Sequence, residues 1–316
     1  MKPTSLADRL DCDLADRLAV QGRESNRSLA EALGVTEHTV AARLRRMESE
    51  QIMRVVAMTD VAAFGFGYYA FAMIEVADRS PLDVAVDLAD IPELISVNVT
   101  SGRFNVVARL MAADRTELAR LVGEAIPARA GVRRVSCEWV VETVHYAARY
   151  AVLTGAAPQE AALPMAEGLD QVDLRLIRQL QADARMSNRK IAELLEISEG
   201  TVRSRIRRLE TDRFIRIQAV CDFRAFGLHA GAFVGIAAAG GQVGLVGQQL
   251  AGIEGVQFAL RTIGSFDFQL VVFRDTPESL ASTLYETIAR LPGVAALEAQ
   301  HLHSAAKHIY TWSHIR

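Results

Sequence analysis

Between Arg185 and Ile217 the apolar positions follow one helical face, then a second, and then turn extended. Ile191, Ala192 and Leu195 share the first face, and Val202, Ile206 and Leu209 the second. Ser187 and Ser198 stand where these runs open, and a serine oxygen there can accept from the free N–H groups of a first helical turn. The same pattern occurs once before. Leu29, Ala30 and Leu33 make its first face, Val40, Leu44 and Met47 its second, with Ser25 and Thr36 as the openers. The two stretches align at a constant offset of 162 positions, and 14 of the 26 residues from Arg23 to Glu48 are identical to their partners. Gly34 suits a left-handed residue closing the first helix, whereas Glu196 takes its place in the second copy and predicts slight strain there. Two short helices around a tight turn predict a helix-turn-helix in each copy. A leading helix around Leu10, Leu14 and Leu18 packs on the first pair, and Ile52 to Met58, β-branched and apolar, predicts a short strand or wing.

Beyond each such unit the period changes. Tyr69 to Val76 reads as a strand, and Ser80 with Pro81 opens a helix through Leu88. Leu94 to Thr100 and Asn105 to Leu110 alternate on either side of a turn, Asp114 with Glu117 opens a second helix, and Val132 to Val144 closes with a strand. The order βαββαβ is a ferredoxin-like sandwich. The fold class is therefore α+β: two copies of an N-terminal winged helix-turn-helix followed by a ferredoxin-like sandwich. The expected domains are residues 1–60, 61–149, 169–222 and 223–316, with residues 150–168 as linker. A repeat this long means duplicated domains, not the short period of a solenoid. The linker is rich in Ala, Gly and Pro and has no periodic face; fully extended it spans roughly 60 Å, enough to let the two sandwiches pair inside one chain.

Composition narrows the picture. With a net charge of −3 over 316 residues, any basic surface must be local. Cys12, Cys137 and Cys221 lie far apart and fit a reducing cytoplasm better than a disulfide framework. The opening MKPTSLADRLD has no apolar core of a secretory leader. No charge lies between Arg224 and Glu254, but the matching stretch from Ala63 to Ile91 carries Glu75, Asp83 and Asp87, so both are expected as strand, turn and helix, not as a membrane span. A cytoplasmic protein without membrane contact is the expectation.

The chemistry lies on the outer face of the second helix of each unit. Copy one presents Glu37, His38, Thr39, Arg43, Arg45 and Arg46; copy two presents Glu199, Thr201, Arg203, Ser204, Arg205, Arg207 and Arg208. Arginine forks suit phosphate oxygens and the acceptor edge of guanine. A solvated face with charge pairs four residues apart is the alternative. Two copies, each behind a capped helix and a turn, favour duplex DNA as the partner.

At this point the chain resembles the Lrp/AsnC (feast/famine) regulators, which open on Leu-Asp-x-x-Asp, continue through an arginine-serine segment into the helix-turn-helix, and close it on Leu-Glu. Copy two shows Leu169, Asp170, Asp173, Arg185, Ser187, Leu209 and Glu210; copy one shows Asp8, Asp11, Arg23, Ser25, Met47 and Glu48, with Ala7 where leucine is expected. The resemblance implies that the sandwich senses ligands and mediates oligomerisation, and that a glycine-aromatic-aspartate turn helps to bind an amino acid. Gly264, Phe266 and Asp267 match that turn; copy one has Gly102, Phe104 and Asn105, where asparagine lacks the carboxylate for an ammonium group. An ordinary hairpin turn is the alternative. No Cys, Asp or Glu stands beside His301, His303 and His308, and a ligand set needs three or four converging groups, so no metal and no cofactor are expected. The expected function is a sequence-specific DNA-binding transcription regulator responding to an amino acid or related metabolite, assembling as a dimer or tetramer of chains. An architectural DNA-organising protein without effector is a second reading. A haem-pathway decarboxylase, which shares the two-domain layout, is a third; its His-Asn-Tyr signature is absent, and no catalytic residue is assigned.

Overall fold

The computed structural model describes residues 6–147, 149–153 and 166–315, so most of the expected linker lies outside the described residues. In chain order the elements are α1 (Arg9–Val20), α2 (Asn26–Leu33), α3 (Glu37–Ser49), β1 (Met53–Asp60), β2 (Tyr68–Val76), α4 (Pro81–Ala89), β3 (Leu94–Ser101), β4 (Val106–Ala112), α5 (Arg115–Arg120), β5 (Val132–Tyr146), a two-residue β6 (Tyr150–Ala151), α6 (Gln171–Ala182), α7 (Asn188–Leu195), α8 (Glu199–Thr211), β7 (Ile215–Asp222), β8 (Ala230–Ala238), α9 (Val243–Leu250), β9 (Val256–Ile263), β10 (Phe268–Arg274), α10 (Pro277–Ala281), β11 (Val294–His308) and β12 (Trp312–Ser313). They form two compact units, and each unit draws on both copies of the repeat. One holds the described residues up to Gly65, those from 166 to Phe226, and those from Ile309 onward; the other holds Phe66 to Leu153 and Gly227 to His308.

The first unit carries both helix-turn-helices. Their boundaries follow the expected caps: Ser25 and Ser187 accept from the third residue of α2 and α7, and Thr36 and Ser198 do the same for α3 and α8. Gly34 closes α2 at φ 68°, and Glu196 closes α7 at φ 57°, so a residue with a Cβ sits where glycine is at ease. Asp8 and Asp170 start α1 and α6 in reciprocal capping boxes with Asp11 and Asp173. Leu14, Leu18, Leu29, Val40 and Met47 make the first apolar core, and Ile177, Leu180, Ile191, Val202 and Leu209 the second. The strand after each helix-turn-helix pairs with its counterpart: β1 runs antiparallel to β7 from Met53↔Cys221 to Thr59↔Ile215. The middle pair is Val56↔Gln218, which are themselves repeat partners, so a pseudo-two-fold axis crosses the ribbon there. β12 joins parallel to β1, and Trp312 packs edge-on against Phe64 at 5.7 Å.

The second unit is a closed barrel of eight strands in the order β10-β8-β11-β3-β4-β2-β5-β9. Its two seams join the copies: β5 pairs with β2 and β9, and β11 with β8 and β3. The sandwiches therefore pair within one chain. Alternation along β2 explains the layers. Ala70, Ala72 and Ile74 pack under α4 and α5 with Val84, Leu88 and Leu121, while Phe71 meets Phe233 and Phe258 of the other copy at 6.4 and 6.2 Å. The counterpart core beneath α9 and α10 contains Val246, Leu250, Leu280 and Leu284. The uncharged α9 thus covers its own sheet, with Leu245 left exposed. Among the described residues no helix is long and apolar enough to cross a membrane.

Candidate DNA-reading face and sensor turns

The arginines of α3 and α8 fall into two groups. Arg43 reaches Asp8, and Asp11 at 3.4 Å; Arg46 binds Asp11, and Glu50 at 3.2 Å. The second copy repeats this. Arg205 bridges Asp170 at 2.7 Å and Asp173 at 2.8 Å, and Arg208 binds Asp173 and the Gly168 carbonyl. Asp11 and Asp173 are almost fully buried, so each is a carboxylate that the paired guanidinium groups neutralise. Asp8 and Asp170 titrate below the usual carboxylate range, first because the backbone N–H of the capping box stabilises the charge, and then through their arginines. Four of the seven arginines singled out in the sequence thus tie the second helix of the motif to the leading helix.

The other three, Arg45, Arg203 and Arg207, are exposed and make no ion pair among the described residues. Glu37, His38, Glu199 and Ser204 are exposed with them, while Thr39 and Thr201 are half-buried and turn their hydroxyls to the capping Thr36 and Ser198 at 2.9 Å. Among the described residues α8 therefore offers two arginines without an ion pair and α3 offers one.

The two glycine-aromatic turns lie in the second unit, at the β3–β4 and β9–β10 connections. Each is engaged by the last strand of the other copy. Phe104 N–H donates to Gln300 Oε1 at 3.0 Å, and Phe266 N–H donates to Glu138 Oε2 at 3.1 Å. Gln300 and Glu138 are themselves repeat partners. A Cβ on Gly102 would lie 2.9 Å from the Ala299 carbonyl oxygen, and one on Gly264 2.6 Å from that of Cys137, so the close approach of that strand's backbone favours glycine at both. Asn105 and Asp267 do one job: Asn105 Oδ1 accepts from Val76 N–H at 2.9 Å and Asp267 Oδ2 from Ala238 N–H at 2.8 Å. Phe104 is buried under the Arg103 guanidinium, and the Phe266 ring covers Gly235. Glu138 is fully buried, its Oε1 has no hydrogen-bond partner, and burial raises its pKa against the turn's N–H groups, which lower it. Sequence reasoning missed Glu138 and Gln300. The signal available was a long polar side chain recurring at the same repeat position of the two last strands.

Other candidates do not converge. His301 and His303 are exposed on β11, His303 reaching Ser101 Oγ at 2.8 Å, and His308 contacts Arg109 at 2.6 Å. Among the described residues no three His, Cys, Asp or Glu side chains group to hold a metal.

One unit of paired helix-turn-helices and one of paired α+β sandwiches define a class, and the comparisons with known proteins fix the family. Residues 8–48 and 169–210 match the AsnC-type helix-turn-helix domain, and residues 69–149 the Lrp/AsnC ligand binding domain. An uncharacterised HTH-type transcriptional regulator of Pyrococcus abyssi is 33% identical over 151 residues, which are 47% of this chain and 92% of the relative. The HTH-type transcriptional regulator Ptr1 of Methanocaldococcus jannaschii is 32% identical over 127 residues, 40% of this chain and 86% of its own. The chain belongs to the Lrp/AsnC family of transcription regulators, with the family's two-domain plan present twice. Half of it spans almost a whole relative, which is what a tandem duplication requires. Among solved structures, the siroheme decarboxylase NirDL superposes with a TM-score of 0.61 at 17% identity, over 96% of this chain and 93% of that one. That likeness establishes a shared fold.

Proposed function

We propose that the chain binds duplex DNA sequence-specifically through both helix-turn-helices at once, with Arg45, Arg203 and Arg207 on phosphates or guanine edges and His38 and Ser204 at bases. The observation that carries this is the exposed, uncommitted arginine set on two helices related by one pseudo-two-fold axis. Arg43, Arg46, Arg205 and Arg208 act at one remove, by holding the reading helix on its neighbour. Footprinting of genomic fragments with the purified chain tests the reading: a protected, inexactly symmetric site is expected, and protection that follows only DNA length would overturn it.

The sandwiches sense an amino acid or related metabolite. An incoming carboxylate would compete for the turn N–H groups with Gln300 in copy one and with Glu138 in copy two. Both turns are filled from within, but like charge opposes only the second exchange, so the turn of Gly102, Phe104 and Asn105 is the better carboxylate site than that of Gly264, Phe266 and Asp267. Calorimetric titration with amino acids should show one site per chain, lost in Gln300→Glu. The chain acts in the cytoplasm by binding and not by catalysis; adding a porphyrin to the purified protein should leave the porphyrin spectrum unchanged. Whole chains assemble further into dimers or tetramers, for which the exposed Leu82 and Val86 on α4 offer apolar surface.

A further inference from the structure

Arg23 and Arg185 form a reciprocal clasp across the first unit. Arg23 donates to the carbonyls of Ala184 at 2.6 Å and Met186 at 2.7 Å, and to Asn188 Oδ1 at 2.8 Å. Arg185 donates to the carbonyls of Gly22 and Glu24 and to Asn26 Oδ1, each at 2.9 Å. Every acceptor is the repeat partner of its counterpart, 162 residues apart, so the six bonds are one two-fold contact. Asn26 and Asn188 are the first residues of α2 and α7. The clasp therefore grips the two helix-turn-helices at the helices that carry α3 and α8. The ribbon of β1 and β7 is a second contact on the same axis, and the ends of the leading helices add a third, with Gly22 N–H donating to the Ile217 carbonyl at 3.3 Å and Gln181 Nε2 to Thr59 Oγ1 at 2.7 Å. A two-stranded ribbon twists over a wide range and by itself leaves the angle between the units open. A planar guanidinium with donors in a fixed fork removes that freedom, which a lysine ammonium, a point charge on a flexible stem, cannot do.

We propose that this arginine clasp sets the distance and angle between α3 and α8, and hence the one half-site spacing that the chain accepts on DNA. The proposal rests on the reading of the chain as a duplex-DNA binder, and it would make Arg23 and Arg185 positioning residues for specificity without contact to a base. A rigid two-headed reader keeps its avidity only when both half-sites are presented together. Inserting two base pairs between them rotates one by roughly 70° at about 10.5 base pairs per turn.

The test uses the full chain with Arg23→Lys and Arg185→Lys together, which keeps the charge and loses the fork. Wild-type protein should bind its selected site at least about tenfold more tightly than the two-base-pair insertion, a fraction of the avidity available to linked sites. The lysine pair should bind both within about twofold of each other, while its affinity for a single half-site and its salt slope stay at the wild-type values. A spacing profile as sharp as that of the wild type would overturn the proposal. If the lysine pair does not fold, Asn26→Ala with Asn188→Ala removes one bond from each side; a flattened profile then supports the clasp and an unchanged one overturns it. A second readout needs no DNA. Spin labels at Ala42→Cys and Ser204→Cys, with the three native cysteines replaced, should report a narrow distance distribution that broadens in the lysine pair. Wild-type protein that binds no duplex would sink the DNA reading, and the label distances would still decide whether the clasp fixes the helices; an equally narrow distribution in the lysine pair would count against it.

Discussion

Replacing Arg203 and Arg207 by alanine together should weaken DNA binding in a way that the salt dependence can count. Both side chains are exposed on α8 and committed to no carboxylate, whereas Arg205 and Arg208 between and beyond them are bound to Asp170 and Asp173. With both on phosphates, each contributes about 0.9 to the slope of log affinity against log salt, so losing two lowers the slope by about 1.8. Over a fourfold rise in salt the wild-type protein should then lose about 12-fold more affinity than the double variant. Arg45→Ala in copy one should lower the slope by about 0.9, a difference of about 3.5-fold over the same range. Arg43→Ala should leave the slope unchanged, because Arg43 holds Asp8 and Asp11, and should cost about 1 kcal/mol of stability instead. The assay is fluorescence anisotropy of one labelled duplex at several salt concentrations, beside thermal melts of each variant. An Arg43→Ala slope that falls as far as that of Arg45→Ala would refute the division, since it would mean that the acidic caps release their arginine to DNA.

Three further outcomes follow from the geometry. Glu196→Gly should raise stability by about 1 kcal/mol, the cost of a left-handed residue with a Cβ, measurable as a higher melting temperature; no gain would mean that Glu196 is not strained. Asp173→Ala should destabilise by about 3 kcal/mol, because it removes one half of the α6 capping box and leaves two arginines without their shared buried carboxylate; a chemical-denaturation midpoint at the wild-type value would contradict this. Burial raises the Glu138 carboxyl above its ordinary range, so the folded protein takes up that proton at a higher pH than the unfolded chain does, and stability rises as pH falls through the interval between the two. Glu138→Gln, which installs the residue found at position 300, should therefore stabilise the protein at pH 7 by an amount that shrinks toward the carboxylate range; a gain independent of pH would show that the charge is not the cause.

Much of this was written in local sequence. Caps at Ser25, Thr36, Ser187 and Ser198, the left-handed residues at 34 and 196, and the proline starts of α4 and α10 appear where local chemistry places them. The repeat itself implied that one sandwich could meet the other. What local pattern could not show was which polar groups meet at long range. Arg43 and Arg205 each lie 35 residues beyond the aspartate that binds them, in both copies alike. Read on a single helix they are basic surface; read through the repeat, a separation kept twice marks shared scaffolding. Glu138 and the turn it enters are 128 residues apart, and Gln300 and its turn 196, so only the closed barrel brings them together. Arg23 and Arg185 looked like the opening of a motif, and their role in joining the two units follows from pairing across the axis.

Whether one chain carries two readers held on one axis for one duplex is decided by selecting bound duplexes from a random pool with the purified protein. Enrichment of an imperfect palindrome is expected, its two half-sites recurring at a single spacing of about 10 base pairs or a multiple of it. Enrichment of an isolated half-site, or of paired half-sites at no fixed spacing, would contradict it.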